Sequence, residues 1–372
     1  MVKYTQNPFS KIRIFLGQKV FLPVKKNLTA LYKGRFLSGK KYRLTKKSAT
    51  ILALNAFCLI GLLICVLVYH SIAGIFSSQT MAERWSGDSG NRYTQISCFL
   101  NNDATPDLNA LFSFGNTIDA ALLAASLEAP QGGLWACAYA AESLLTVKGD
   151  YGAAEVTVLG VGGKFFLFHP LVLRDGSYIS DEDSMDDRVV LDEELAWKLF
   201  GSVDIAGLSV TINNVPYPIA GVVSREKDRF SLKTYTGGAG IFMSYAALAK
   251  LEDAPITCYE IVLPDPISGF GLTTVKDNFP LGDHDVALEN TGRFSFARIS
   301  RVLGDFGART IQDSGVAYPY WENAARLAEN QLVLLLLLGF AFPLFPAGCL
   351  IYVIIKEIRH VKHHFKKPHQ DL

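Results

Sequence analysis

Two long uncharged apolar stretches constrain the fold of this chain most strongly. The first runs from Ile51 to Phe76 and the second from Leu332 to Ile355, and neither contains Lys, Arg, Asp or Glu. A hydrocarbon core about 30 Å thick is crossed by roughly 20 helical residues, so both stretches are long enough to span it. We therefore predict transmembrane helices at residues 50–76 and 332–355, and expect Pro343 and Pro346 to bend the second.

A cleaved signal peptide is the alternative for the first stretch. The segment before it is about 50 residues long, which exceeds an ordinary n-region, and the apolar run exceeds an ordinary h-region. The composition therefore favours a retained membrane anchor.

The distribution of charge predicts the orientation. The whole chain has a net charge of +1, but residues 1–50 hold 13 Lys and Arg and no acidic residue. Residues 356–372 add a net charge of +3, so residues 51–355 carry −15. The positive-inside rule then places both termini in the cytoplasm and residues 77–331 outside the cell membrane. The chain is predicted to be a two-pass protein of the cell membrane.

The cytoplasmic tails are predicted at residues 1–49 and 356–372. The first mixes basic residues with aromatic and aliphatic ones, and we interpret it as a loose tail that serves as a topology signal. Contact with anionic membrane lipid or with a partner protein is the alternative. Nucleic-acid binding is not expected for a segment held at the bilayer.

The region between the spans contains local patterns for both helices and strands. Helices are predicted at residues 116–129 and 192–200, the second with Asp192 as N-cap and Gly201 at its end. Strands are predicted at residues 155–162 and 258–263, with a hairpin at 208–219 that turns at Asn213-Asn214. Pro216 and Pro218 cannot donate ladder hydrogen bonds, so the second hairpin strand is predicted to be an edge strand. The interspersed elements predict an α+β domain over residues 77–318.

The segment before the second span predicts a stalk. No helix breaker follows Pro319 before the apolar run, and the intervening residues favour helix formation. We expect one continuous helix from about Tyr320, with a stalk at residues 319–331 that enters the bilayer.

Three cysteines lie outside the predicted spans. They are Cys98, Cys137 and Cys258, and an odd number permits at most one disulfide among them. Cys98 with Cys137 is the favoured pair because both fall in the same lobe by sequence. The remaining cysteines lie in the spans and are interpreted as small apolar residues.

The sequence predicts no catalytic, cofactor-binding or metal site, so we expect a protein that is not an enzyme. The segment from Gly160 to Lys164 lacks the spacing and the hydroxyl residue of a phosphate loop. His169 is interpreted as structural. The acidic run 180–187 lacks the glycine and final glutamate of a calcium loop, and the histidines near residue 360 lack a suitable partner.

An ordered set of motifs between Val158 and Ser224 resembles a known family. A strand ending in Gly-Val is followed by an aromatic pair, a segment from Pro170 to Gly176 with acidic residues after it, the run VVLDEELAWKLFG and the run DIAGLSVTINNVPYPIAGVV. This order is similar to the periplasmic core domain of MacB-like ABC transporter permeases, relatives of the FtsX-like permeases. The motif residues, expected to be structural, are Gly162, Phe165, Phe166, Gly176, Leu191, Leu199, Phe200, Gly201, Gly207 and Gly221.

The resemblance implies a partner and a mechanism. Permeases of this family pair with a cytoplasmic ABC ATPase, dimerise through the membrane and use stalk helices to transmit the ATPase cycle to the outer domain. No bound cofactor is expected of this chain itself. It departs from the family pattern in having one predicted span after the core domain where three are expected. The resemblance implies a dimer or hetero-oligomer. The chain is expected to be a specialised subunit that a complementary permease subunit completes, a truncated copy, or a free-standing domain that senses or binds.

Three functions remain open at this point. The first is a non-catalytic, permease-like subunit that couples a cytoplasmic ATPase to the outer domain. The second is a two-span binding or sensor module that acts on cell-envelope or peptide ligands without an ATPase. The third, an outer-facing enzyme that uses His169 or an acidic pair, is the least favoured.

Overall fold

The computed structural model describes residues 45–88, 90–101, 105–127, 133–180, 187–235, 240–304 and 316–365. Residues 1–44 of the first predicted tail and residues 366–372 of the second lie outside these ranges. Residues 181–186 of the acidic run also lie outside them. By its internal contacts the chain divides into the units Met1–Cys58 and Leu59–Leu372. The first unit contributes the beginning of one long helix, and the second holds all other elements described below.

Ten strands form one mixed sheet in the second unit. Their order across the sheet is β10-β1-β9-β2-β3-β8-β5-β7-β4, and β6 pairs with β2 and β7. Most neighbours are antiparallel, but β3 with β8 and β5 with β7 are parallel. The strands are β1 Tyr93–Phe99, β2 Ala136–Gly149, β3 Gly152–Gly163, β4 Val172–Gly176, β5 Val189–Asp192, β6 Ser209–Ile212, β7 Val215–Ser224, β8 Gly240–Ser244, β9 Ile256–Pro264 and β10 Val286–Glu289.

Eleven α-helices are numbered here among the described residues, and a 3₁₀ turn at Ser77–Gln79 follows the first of them. The helices are α1 Lys46–Ala73, α2 Met81–Ser86, α3 Leu108–Ala124, α4 Phe165–Phe168, α5 Glu193–Phe200, α6 Ser231–Thr234, α7 Tyr245–Leu251, α8 Phe270–Asn278, α9 Phe296–Gly304, α10 Tyr320–Ala341 and α11 Leu344–Phe365.

The two faces of the sheet are covered by different elements. On one face, α3 and α8 pack over β1 and β9, and α5 and α7 pack over the strands further along. On the opposite face, α2, α4 and the start of α10 pack against the central strands through a second apolar core. We call these the helix face and the stalk face. Alternating strand residues supply both cores, as expected for a sheet that is covered on both sides.

The predicted hairpin is confirmed, and its turn has a clear physical basis. Strands β6 and β7 are joined by Asn213 and Asn214, which both have positive φ values, 49° and 63°. A two-residue turn with this conformation matches the twist of the flanking strands, and Asn tolerates it better than most residues.

The prediction of an edge strand is wrong for β7 as a whole. Residues 219–224 of this strand lie between β4 and β5. Only the first part, which contains Pro216 and Pro218, pairs with β6 alone. The prolines are therefore tolerated because they occupy the portion of an internal strand that has a single neighbour.

The helix predicted at 192–200 is confirmed together with both of its ends. The Asp192 carboxylate accepts a hydrogen bond of 2.6 Å from the amide of Leu195, which makes it the N-cap. Gly201 adopts the left-handed conformation with φ of 69° and ends the helix. The helix predicted at 116–129 begins earlier, at Leu108, because Asp107 caps it there.

Two helices are long and apolar enough to cross a membrane by length and composition. The first is α1, and the second is the stretch from Tyr320 to Lys362, which comprises α10 and most of α11. The predicted continuous helix from Tyr320 is confirmed as far as Ala341. It is interrupted at residues 342–343, where Pro343 removes a backbone donor. The protein thus has a mixed α/β domain flanked by two candidate membrane spans.

Candidate functional site

The residues that connect α1, the sheet and α10 form one buried polar cluster, which we call the stalk joint. It consists of Gln79, Arg293, Glu322, Arg326 and Glu329. Arg293 lies in the turn between β10 and α9, Gln79 follows α1, and the remaining residues occupy successive turns of α10. The elements that these residues join are far apart in sequence, so only the tertiary fold brings them together.

Arg293 is the centre of the stalk joint. Its Nη1 and Nη2 atoms donate hydrogen bonds of 2.5 and 2.8 Å to the two carboxylate oxygens of Glu322. Its Nε atom donates to Glu329 at 2.8 Å, and Nη1 also donates to Gln79 Oε1 at 3.0 Å. The side chain is 6% exposed. A planar guanidinium supplies donors in the fixed directions that two carboxylates on one helix face require, which a lysine could not do.

The electrostatics of the stalk joint are balanced. Burial alone would lower the pKa of Arg293, but the carboxylates of Glu322 and Glu329 more than offset it and raise the pKa above its ordinary value. Arg326 donates to Glu322 at 2.7 Å and places its guanidinium 3.7 Å from the centre of the Tyr318 ring. Two arginines therefore face two glutamates, so the charge that is buried is compensated.

Apolar contacts extend the stalk joint toward the membrane. The Tyr69 hydroxyl, near the end of α1, donates a hydrogen bond of 2.8 Å to the carbonyl oxygen of Phe294. Phe76 packs against Phe294 and Phe230, with ring centres 5.3 and 5.8 Å apart. The small residues of α10 that these groups cover are fully buried: Ala324, Ala325 and Ala328. The end of α1 and the stalk part of α10 are thus packed into a single core.

A second buried polar group lies deeper in the domain, between the sheet and α10. Glu260 on β9 accepts a hydrogen bond of 2.6 Å from the Ser97 hydroxyl on β1, and its other oxygen is hydrogen-bonded to His169 Nε2. Asn290 Nδ2 donates to Ser97 at 2.6 Å. The network links β1, β9 and the end of α4 to the turn that carries Arg293 three residues later.

His169 also contacts the stalk directly. Its ring lies 4.6 Å from the ring of Phe165 and 4.4 Å from that of Trp321, measured between ring centres. All three side chains are buried. The interpretation of His169 as structural agrees with this burial, since neither solvent nor a substrate reaches the ring. The family-motif segment is therefore in contact with the first turn of α10.

The motif residues are distributed around the scaffold and form no single cavity. Phe165 packs in the core of the stalk face, whereas Leu191, Leu199 and Phe200 belong to the core of the helix face. Gly176 has a φ of 69° opposite Gly221, and the neighbouring backbone leaves no room there for a Cβ atom. Phe166 lies in α4 and Gly162 near the end of β3, whereas Gly201 ends α5 and Gly207 lies in the turn before β6. Their structural role remains a prediction.

The disulfide predicted between Cys98 and Cys137 is not formed. The two residues lie on β1 and β2, which pair with opposite edges of β9. Two strand spacings separate them by roughly 10 Å, which exceeds the Cα separation of about 7 Å that a disulfide tolerates. Proximity in sequence suggested the pair, whereas the topology inserts a strand between its members.

Metal coordination has no support in the part of the chain that the structure describes. There, no group of three or more His, Cys, Asp or Glu side chains is arranged to hold an ion. The segment Gly160–Lys164 forms the end of β3 and the residue before α4, and so is not a phosphate-binding loop.

The sequence reasoning missed Arg293, Glu322, Glu329, Glu260 and Trp321. Each is a common residue type at an unremarkable spacing, and its importance depends on burial that only the fold creates. One signal was present: Glu322 and Glu329 are seven residues apart, so they lie on one face of a helix that was already predicted.

Comparison with known proteins supports the resemblance. The family model described as the MacB-like periplasmic core domain matches residues 58–268. The periplasmic region of MacB from Actinobacillus actinomycetemcomitans has 15% identity and a TM-score of 0.42, covering 57% of this chain and 92% of that one. The extracellular domain of the noncanonic ABC-type transporter YknZ from Gram-positive bacteria has 15% identity and a TM-score of 0.35, covering 52% and 99%. A search of curated proteins gave no significant match. Because the family model matches more than half of its length, this chain belongs to the family of proteins with a MacB-like periplasmic core domain.

Proposed function

We propose that the chain is a non-catalytic, permease-like membrane subunit that couples a cytoplasmic ABC ATPase to an extracytoplasmic domain. In this proposal, residues 77–318 are the outer domain, residues 319–331 are the stalk and both termini are cytoplasmic. A complementary permease subunit completes the membrane part. Family membership supports the permease assignment, and the charge distribution supports the orientation.

The observation that carries the coupling proposal is the buried pairing of Arg293 with Glu322 and Glu329. A displacement of α10 must either break these hydrogen bonds or move the turn that holds Arg293. Breaking them would leave buried charges without partners, which costs several kcal/mol. Movement of the outer domain together with the stalk is therefore the less costly response.

The same turn connects to the sheet at two further points. The amide of Asn290 donates to the carbonyl oxygen of Gln95 on β1 at 2.8 Å, and the Asn290 side chain donates to Ser97. A force on the stalk thus reaches the sheet through backbone and side-chain hydrogen bonds rather than through a loose linker.

Partner recovery tests the assembly. The full chain carries an affinity tag, is expressed at its natural level and is purified in mild detergent. We expect an ATP-binding subunit and a second membrane subunit to be recovered with it, identified by mass spectrometry. Recovery of neither, together with normal folding of the tagged chain, would contradict the proposal and favour the sensor module.

A second experiment tests the coupling separately from assembly. In the recovered complex, hydrogen exchange of the outer domain is compared with and without ATP. At a temperature where both variants are shown to be folded, Arg293→Gln is expected to retain the partners but to lose the ATP-dependent change in exchange. Arg301→Gln, which replaces an exposed side chain on α9, keeps both. Retention of the ATP-dependent change by Arg293→Gln would show that coupling does not pass through the stalk joint.

A further inference from the structure

A cleft of about 420 Å³ opens on the stalk face of the sheet, beside the start of α10. Residues that are neighbours across β2, β3 and β8 form its floor. Glu142, Leu159 and Phe242 form one row, because Glu142 pairs with Leu159 and Leu159 with Phe242. Side chains paired in this way point to the same face of the sheet.

The walls of the cleft are rich in aromatic side chains. Tyr235, at the end of α6, packs against Tyr320 with ring centres 4.6 Å apart, and Tyr318 precedes the first turn of α10. The Tyr235 hydroxyl donates a hydrogen bond of 2.5 Å to Glu226. Two tyrosines therefore hold each other in place at the wall, and Phe242 is buried beneath the floor.

Glu142 is the charged group that the cleft presents to a ligand. It has neither a hydrogen bond nor an ion pair with any other described residue. The side chain is accessible, yet the surrounding protein excludes enough water to raise its pKa by burial. A carboxylate in a concave surface can be reached by a ligand and still be partly shielded from water by the surrounding protein.

The cation in the lining of the cleft is already neutralised. Arg225 donates to Asp192 through Nε at 2.6 Å and through Nη2, and its guanidinium lies 4.5 Å from the centre of the Tyr235 ring. The side chain of Arg225 is thereby directed to Asp192 and Tyr235. The charge that remains to be complemented in the cleft is the negative charge of Glu142.

We propose that this cleft binds an organic cation, a primary ammonium or guanidinium attached to an apolar body. The cation would pair with the Glu142 carboxylate, and the body would lie against the wall tyrosines. Charge-assisted hydrogen bonds and contact with aromatic faces are the two interactions that recognise such a group. The cation could belong to a free amine or to a Lys or Arg side chain of a peptide.

This site is independent of the coupling function, because it requires neither an ATPase nor movement of the stalk. Its test uses the purified full chain in detergent micelles and isothermal titration calorimetry, with empty micelles as the blank. One arm uses phenethylammonium against 2-phenylethanol, its neutral counterpart. The other uses an end-capped Phe-Lys dipeptide against end-capped Phe-norleucine. The relative affinities of the two cationic probes distinguish the free-amine source from the peptide source.

The expected result is that at least one cationic probe binds tenfold or more tightly than its neutral counterpart. Glu142→Gln should reduce that affinity to the neutral level, while Glu155→Gln, an exposed carboxylate elsewhere on β3, should leave it unchanged. Leu144→Lys places a competing ammonium two residues from Glu142 on the same face and should also block binding. Leu144 is 55% exposed, so this substitution does not disturb the core.

Three results would overturn the proposal. The first is equal affinity for cationic and neutral probes, and the second is unchanged binding by a correctly folded Glu142→Gln variant. The third is the absence of binding by either cationic probe. None of them bears on recovery of the ATP-binding subunit, so failure of this site is distinguishable from failure of the proposed function.

Discussion

Arg293 and Glu322 form a bidentate ion pair inside the protein, with both side chains withdrawn from solvent. Glu322 is 0% exposed, so its charge depends on the two arginines that reach it. A buried pair of this kind contributes little net stability relative to an apolar replacement, but losing one partner is costly. Its principal effect is to fix the position of α10 against the turn after β10.

Arg293→Gln should destabilise the outer domain strongly. The substitution leaves Glu322 and Glu329 buried with reduced compensation, for which about 3–5 kcal/mol of unfolding free energy is typical. Chemical denaturation of the full chain in detergent measures the loss, and exposed Arg301→Gln is the matched control, expected within about 0.5 kcal/mol of the parent. A loss below about 1 kcal/mol would contradict the burial of the pair.

Trp321→Ala should also be strongly destabilising, by about 3–5 kcal/mol, because it removes a large buried side chain that packs against both His169 and Phe165. Trp197 offers a matched control, since it is 56% exposed on α5 and its replacement by Ala should cost less than about 1 kcal/mol. Thermal unfolding monitored by circular dichroism compares the two. Similar losses for both variants would place Trp321 at the surface rather than in the core.

Substitutions of Asp192 should separate the stability contribution of its helix cap from that of its ion pair with Arg225. Asp192→Asn retains an oxygen for the Leu195 amide but removes the charge that Arg225 pairs with, whereas Asp192→Ala removes both. We expect Asp192→Ala to exceed Asp192→Asn in destabilisation by about 1 kcal/mol, the usual value of an N-cap. Equal unfolding free energies for the two variants would show that the cap contributes nothing.

The outer thiols should be unreactive in the folded protein. Burial raises the pKa of Cys98 and of Cys258 above that of a free thiol, so little thiolate exists at neutral pH. Maleimide labelling followed by mass spectrometry should modify neither residue until denaturant is added. Unreduced protein should show no cross-linked peptide that contains Cys98 and Cys137, and detection of one would contradict the strand order.

The contribution of Glu142 to folding stability should change with pH in a direction that its burial determines. Burial raises the pKa of the Glu142 carboxyl in the folded state, so the folded protein binds this proton more tightly than the unfolded chain. The group therefore destabilises the fold as pH rises through its folded pKa. Glu142→Gln should unfold at a higher temperature than the parent at neutral pH, and the difference should disappear below the ordinary pKa of glutamate. A difference that grows on acidification would contradict the desolvation of Glu142.

Local elements were predictable where the chain encodes them within a few residues. The cap at Asp192, the end at Gly201 and the Asn213-Asn214 turn each depend on side chains adjacent to the backbone that they shape. The apolar spans were predictable because such long uncharged apolar stretches seldom occur in other kinds of structure. Family membership was predictable for a related reason, since the motifs lie in one continuous stretch.

The sheet order and the stalk joint were not predictable in this way. Their contacts join residues far apart in sequence, such as Arg293 with Gln79, and no local pattern specifies such a pair. The edge-strand and disulfide predictions failed for the same reason. Each assumed a neighbourhood from sequence proximity, whereas β7 and β9 acquired strands on both sides.

The side chains of α10 allow this helix to pack against the domain in only one axial position. Trp321 is a large buried side chain at the start of α10, and the following turn buries the small side chains of Ala324, Ala325 and Ala328. An axial slip of one helical turn, about 5.4 Å, would place Ala325 where Trp321 now fills the space beside His169. Trp321 therefore fixes the axial position of α10, because the helix cannot slide past the domain by one turn. Under the proposed function, a displacement of α10 would therefore move the sheet together with the helix.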